Sequence, residues 1–299
     1  MVSGQPDSKL IDVRQLGREK VIGAWDLGGA IVDPGPEPRI DTLLAGLTEK
    51  PVALLLTHIH LDHAGAAGAL VERFPGLEVW VHAKGAPHLI DPAKLLASAE
   101  RIYGDDMDRL WGRIVPVPER NVRVLEGGER IDVAGRTLAV EYTPGHASHH
   151  VVYFDEADGT AYVGDVAGVR IPPSDLVQPP TPPPDIDVPA WLRSIDLVAE
   201  REPRCLALTH FGAVEDPPLH LERTKQALEE QASLARRLLD ELGDTEEAAK
   251  AFVEEVDRRT RERAGAEMAG SFQVGSPVEQ RWMGLLRYWQ KQTQIAQEG

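Results

Sequence analysis

The apolar run VALLL at residues 52–56 passes directly into THIHLDHAG, so that His58, His60, Asp62 and His63 crowd into six positions at its end. Such a run reads as a buried strand, and the polar residues after it must emerge where the chain turns. In the extended part His58 and His60 are two apart and point to one side, whereas Asp62 and His63 turn with the chain into the next helix. The spacing suits two neighbouring ligand sets better than one. Imidazole and carboxylate are the donor types of zinc, iron and manganese sites. Cys205 is the one cysteine, which leaves no intramolecular disulfide and no thiolate cluster. Histidine and carboxylate must therefore hold any metal.

The flanking segments read as an α/β layered fold. VIGAWDLGGAIVDPG (21–35) gives two strands closed by a Pro-Gly turn, LEVWVHA (77–83) gives another, and AGAAGALVERF has helical composition. Strand, site, helix and strand in succession is a layered α/β order. Short strands follow at VRVLE, ERIDVA, RTLAVEYT, VVYFDE and TAYVGD, with turns at Gly127-Gly128, Ala134-Gly135 and Asp158-Gly159, and imply a mixed sheet with hairpins. Residues 171–191 hold eight prolines and are expected to form a stiff extended loop, neither helix nor central strand, walling a site.

From about residue 218 three helices are expected. Their apolar faces are Leu221, Leu228, Ala235, Leu238, Leu239 and Leu242; Ala249, Phe252, Val253 and Val256; and Val278, Trp282, Leu285, Leu286 and Trp289. Ser276, Pro277 and Glu279 predict a capping box at the start of the last. The chain thus divides into a unit at 1–217 and a helical appendage at 218–299 that covers a pocket or forms a homodimer interface.

An apolar fraction of 42% over 299 residues supports a substantial core. The formal charge of −16 repels polyanions, and no nucleic-acid partner is expected. No apolar run reaches the length of a membrane span, and the first residues lack the apolar centre of a signal peptide, so a cytoplasmic protein without membrane association is expected.

THIHLDHAG resembles the signature of the metallo-β-lactamase superfamily, and further motifs of that family follow in order: TPGHASHH (Thr143–His150), AYVGDVA and LALTHFG. The resemblance runs from roughly residue 20 to 215 and implies an α/β fold, a four-layer αββα sandwich with a C-terminal helical appendage. It implies that His58, His60 and His146 bind one metal ion, that Asp62, His63 and His210 bind a second, and that Asp165 bridges both. Two divalent ions, zinc first and iron or manganese by the same ligand types, would lower the pKa of a shared water and polarise the attacked oxygen. Asp62 would also orient the resulting hydroxide or pass a proton to the leaving group.

The implied enzyme is a dinuclear hydrolase of a small ester, thioester or lactone, in the glyoxalase II-like or lactonase-like branch. True β-lactamases of this fold commonly place cysteine where Asp165 stands, and Cys205 is expected in the core. Other readings stay open. Sulfur dioxygenases of the same superfamily use one iron on two histidines and an aspartate, here His58, His146 and Asp165; phosphodiester cleavage and a non-catalytic metal-binding interaction protein are the others. His82, His88 and His220 show no ligand partner, and His149 and His150 receive no catalytic role. Thr57, Thr143 and Thr209 are candidates to hydrogen-bond around the ligands, although threonine is common at strand ends, and Tyr103, Trp111 and Trp191 are candidates to line a pocket, core packing being the usual fate of an aromatic.

Overall fold

A computed structural model describes residues 6–298; residues 1–5 and Gly299, included in the two expected units, lie outside the described residues. The first sheet is built from β1 (Lys9–Asp12), β2 (Gly23–Asp26), β3 (Ala30–Val32), β4 (Ala53–Leu55), β5 (Glu78–His82) and β6 (Val122–Leu125), adjacent in that order. β1 to β3 pair antiparallel, and β3 to β6 run parallel. Parallel neighbours need crossovers. These are supplied by α1 (Ile40–Gly46), by α2 (Leu61–Ala64) with α3 (Ala67–Arg73), and by α4 (Ala86–Ile90), α5 (Ala93–Tyr103) and α6 (Met107–Trp111).

The second sheet uses β7 (Arg130–Val133), β8 (Arg136–Tyr142), β9 (Val151–Asp155) and β10 (Thr160–Tyr162). A two-stranded ribbon, β11 (Val169–Arg170) with β12 (Val177–Gln178), and helix α7 (Val188–Glu200) intervene before β13 (Cys205–Leu208) and β14 (Gly212–Val214). Its strand order is β14-β13-β10-β9-β8-β7, antiparallel except where β10 meets β13.

The period-2 alternation of strand side chains produces the layers. Ala53, Leu55, Val151, Tyr153, Tyr162 and Ala207 point inward and form one core between the sheets. Their sequence neighbours Leu54 and Leu56 face outward onto Leu43, Leu70 and Val71 of α1 and α3. On the other side Val152, Phe154, Ala161, Leu206 and Leu208 face Trp191, Ile195 and Val198 of α7. Helix, sheet, sheet and helix form the expected αββα sandwich. Cys205 is buried in β13, as expected of a core residue.

The C-terminal region has four helices rather than three: α8 (Pro217–Leu242), α9 (Glu246–Ala264), α10 (Ala266–Gly275) and α11 (Val278–Glu298). The Asp216 carboxylate caps α8 by accepting from the Leu219 N–H (3.2 Å), and the Thr245 hydroxyl caps α9 by accepting from the Ala248 N–H (3.2 Å). All three apolar stripes close onto α7 and the second sheet, with Leu228, Phe252, Trp282 and Leu285 buried there. Among the described residues no helix is long and apolar enough to cross a membrane.

Two local expectations are corrected. The Ser276 capping box does not form: Ser276 Oγ is buried without a hydrogen-bond partner, and the Gln273 side chain takes the role, accepting from the Val278 N–H (3.2 Å) and donating to Glu279. The proline-rich stretch is extended through most of its length but contains β12 and ends in the first turn of α7. There Pro189 is tolerated because the first helical N–H groups have no partner within the helix, and the Asp187 carboxylate caps the turn.

α11 docks on that stretch at Thr181, whose hydroxyl donates to the Arg281 carbonyl (3.0 Å). Gly284 permits the approach: a Cβ there would lie 2.0 Å from the Thr181 carbonyl oxygen. Alanine is favoured over glycine in a helix interior by about 1 kcal/mol, whereas overpacking against fixed backbone costs about 1–3 kcal/mol. Gly284→Ala is expected to lower the urea midpoint despite its better helix propensity; a raised midpoint would show that α11 is not seated as described.

Candidate metal centre

The polar motifs all sit at strand ends along one edge of the sandwich. His58 lies in the turn after β4 and His60 immediately before α2, whose single turn carries Asp62 and His63. His146 comes from the β8–β9 loop, Asp165 follows β10, and His210 joins β13 to β14. Four donor atoms converge in one set, from His58, His60, His146 and Asp165, and three in a neighbouring set, from Asp62, His63 and His210. Asp165 stands between them. One of its oxygens is 3.3 Å from His146 Nε2, and the other is 3.2 Å from His63 Nε2 and 3.6 Å from His210 Nε2.

The hydrogen-bond network fixes the tautomers. Thr57 Oγ1 donates its proton to Asp33 (2.7 Å), so it accepts from His58 Nδ1 (3.1 Å), which leaves His58 Nε2 a bare lone pair. His146 Nδ1 donates to the Pro180 carbonyl (2.8 Å), which bares its Nε2 as well. These two lone pairs lie 3.3 Å apart, and His60 Nδ1 lies 3.0 and 2.9 Å from them. One proton on His60 cannot satisfy both neighbours. In the other set His63 Nδ1 donates to Asp33 (2.7 Å) and His210 Nδ1 to the Val21 carbonyl (2.7 Å), which turns both Nε2 atoms toward carboxylate oxygens. His63 Nε2, His210 Nε2 and an Asp165 oxygen are buried with no hydrogen-bond partner. A buried convergence of imidazole nitrogens and carboxylate oxygens fits a bound cation.

The two sets differ in proton affinity. Burial, followed by the neighbouring imidazoles, holds His58 well below its usual range, and burial with His146 brings His60 down to about 4. Burial lowers His146 too. It opposes protonation at His63 and His210 as well, but the facing carboxylates, Asp165 first, overcome it, so both are raised. Asp62 is driven down to about 2 against the effect of its burial, chiefly by His63 and His210.

Asp33 is the residue that sequence reasoning missed. Fully buried after β3, its carboxylate accepts from the Thr57 N–H (2.9 Å) and from His63, the Thr57 hydroxyl and the Thr209 hydroxyl at 2.7–2.8 Å. Its φ of 49° is a left-handed conformation that aspartate tolerates better than most residues. The only signal was an aspartate before Pro-Gly, which reads equally as a turn. Thr57 bonds to His58 directly, and both Thr57 and Thr209 bond to Asp33. Thr143 accepts from His150 Nδ1 (2.8 Å), and His150 Nε2 then accepts the Asp165 N–H (3.2 Å), so His150 holds the backbone of Asp165. Gly164 is required beside it: at φ +47° a Cβ would lie 2.5 Å from Thr57 Oγ1 and 2.8 Å from His150 Nε2. His220 donates to the Ala167 carbonyl, and His82 stacks on Tyr142.

A cavity of about 700 Å³ opens over His60, Asp62, Asp165 and His210. Leu95, Ala99, Tyr103 and Trp111 form its apolar wall, residues 180–185 another side, and residues from α10 and α11 a third. Trp191 does not reach the cavity; it is buried edge-on against the His146 ring and donates to the Val166 carbonyl (2.8 Å).

The family model of the metallo-beta-lactamase superfamily matches residues 26–210. A metallo-beta-lactamase fold-containing protein of Sulfurisphaera tokodaii is 31% identical over 181 residues, which covers 60% of this chain and 67% of that one. A hydroxyacylglutathione hydrolase of Synechococcus is 32% identical over 136 residues, 46% of this chain and 42% of the relative, so the match spans less than half of that enzyme. The crystal structure of a metallo-beta-lactamase family protein from Thermus thermophilus aligns with a TM-score of 0.65 at 21% identity, over 97% of this chain and 95% of that one. That likeness is one of fold and extends into the C-terminal helices.

Replacing Asp33 by asparagine sets an NH2 against groups that all donate. Loss of a partner that orients a metal-bound imidazole typically weakens metal affinity about 10- to 100-fold. Asp33→Asn is expected to fall in that range in a competition titration with a zinc-selective chelator; an unchanged affinity would refute the role assigned to Asp33.

Proposed function

Because this chain belongs to the metallo-β-lactamase superfamily, we propose that it is a metal-dependent hydrolase of a small ester, thioester or lactone. In this reading His58, His60 and His146 hold one divalent ion, Asp62, His63 and His210 hold a second, and Asp165 is shared. The observation that carries it is the convergence of buried imidazole nitrogens and carboxylate oxygens in two adjoining sets, of four and three residues, among the described residues. Zinc is the first choice for a set of imidazoles and carboxylates, and iron or manganese suit the same donors. When bound, such ions supply Lewis acidity and lower the pKa of water.

The remaining work falls to the chain. Asp62 is half-buried at the cavity floor and, at about 2, is an acceptor at neutral pH, suited to orienting an attacking water rather than to protonating a leaving group. The apolar wall around Tyr103 and Trp111 takes the body of the substrate, and the helices after residue 217 act as the cover that limits its size. Likeness over 46% of the chain to hydroxyacylglutathione hydrolases favours an acyl thioester first.

The test pairs elemental analysis with a panel of thioester, ester, lactone and phosphodiester substrates. Up to two metal equivalents and preferred cleavage of a carbonyl substrate are expected, with Asp165→Ala losing most activity and at least part of the metal. A phosphodiester hydrolysed faster than every carbonyl substrate would overturn the substrate class. One tightly held iron with oxygen uptake on a glutathione persulfide would replace hydrolysis by dioxygenation.

A further inference from the structure

His149 stands three residues after His146 and directly before His150, and its side chain belongs to neither ligand set. Its backbone is held on both sides. The Ser148 carbonyl accepts from the Tyr142 hydroxyl (2.9 Å), the Ser148 hydroxyl donates to Asp185 (2.6 Å), and His150 is fixed between Thr143 and the Asp165 N–H. The ring of His149 is then aligned by the Ile59 N–H, which donates to its Nδ1 (3.4 Å). A backbone N–H can only donate, so Nδ1 is the bare nitrogen and the ring proton sits on Nε2. His149 is accordingly a neutral imidazole with a single N–H.

Where that N–H points decides its use. His149 is 8% exposed and lines the cavity. Its Nε2 makes no hydrogen bond among the described residues, yet it is not one of the buried nitrogens without a partner, so it keeps contact with the cavity space. The ring centre lies 5.8 Å from that of His60 and 6.2 Å from that of His58, two residues of the first ligand set. A fixed and unmet donor therefore borders the first set from inside the cavity. Neutral N–H donors held in place suit an oxygen on which negative charge develops, because they need no reorganisation as it forms. A neutral imidazole can serve as such an electrophile.

We propose that His149 donates from Nε2 to the carbonyl oxygen of the substrate and is a catalytic residue of the hydrolysis. This deepens the hydrolase reading and rests on it, since it takes the cavity as the substrate site. As the water oxygen bonds to the acyl carbon, the carbonyl π pair moves onto the oxygen that His149 faces, and it returns as the bond to the leaving sulfur or oxygen breaks. One water proton ends on the leaving group and the other is released with the product carboxylate. His149 keeps its proton throughout; it neither activates the water nor protonates the leaving group.

The test pairs kinetics on the carbonyl substrate cleaved fastest in the panel with NMR of the histidine rings in isotope-labelled, zinc-loaded protein. The NMR probes are benzyl pentyl ketone, a phenyl thioester analogue with CH2 in place of sulfur, and heptylbenzene, which lacks the oxygen. The His149 ring is expected as the Nε2–H tautomer, and that proton should move downfield with the ketone and not with the hydrocarbon. In His149→Phe, kcat should fall about 100- to 1000-fold with KM and zinc content little changed, as loss of one donor to a developing oxyanion predicts. A merely structural His149 would cost zinc along with activity and show no ketone-dependent shift, which would overturn the proposal; so would a ring proton on Nδ1. If no carbonyl substrate is cleaved, the hydrolase reading fails and the ketone titration alone decides whether His149 meets an acyl oxygen. If His149→Phe does not fold, the wild-type spectra decide: a ring that does not respond to the ketone overturns the assignment.

Discussion

The Asp33 carboxylate is the point on which the site turns. It takes a proton donor from each of three segments: His63 in α2, Thr57 after β4 and Thr209 after β13. Two of those segments belong to different sheets, so one buried side chain holds the strand ends of both in register where their polar residues meet. Through His63 it directs one imidazole outright, and through Thr57 it directs His58 in the other set. Without that acceptor the Nε2 lone pairs would have no reason to face one another across a dry interior, where unpaired polar atoms are costly.

A second chain of contacts links the site to the C-terminal helices. Pro180 accepts from His146, and the adjacent Thr181 donates to the Arg281 carbonyl while Gly284 packs under its own. The proline-rich loop is thus gripped between a donor of the first set and α11. Its stiffness serves that purpose, since prolines lose little entropy on being fixed. The helices that shape the cavity and the loop that orients His146 are consequently parts of one packing arrangement.

Much of this was legible in the sequence because period and punctuation are local. The apolar runs at β4 and β9 and the stripes of α8, α9 and α11 marked strands and helices, and four motifs at the ends of apolar runs identified the residues that meet at one edge. What could not be read was set by tertiary contacts. Asp33 looks like a turn residue until its three donors arrive from elsewhere in the chain. Ser276 and Glu279 have the spacing of a cap, but Gln273 reaches the helix end first. α10 was unread because its apolar residues form no clear stripe. Arg281 sits on a face that reads as polar, and only the assembled fold shows it buried among glutamines.

The central proposal, two adjacent cation sites of unlike proton affinity, is tested most directly by calorimetric titration of the metal-stripped protein with zinc in buffers of different ionisation enthalpy. His58, His60 and His146 have lowered affinities for protons and are neutral at neutral pH, so the first set binds without displacing any. His63 and His210 are raised, so the second ion competes with protons for them, increasingly so as the pH falls. Two equivalents, one of them coupled to proton release that grows on acidification, is the predicted result. A single equivalent, or two with no proton coupling at either step, would contradict the account.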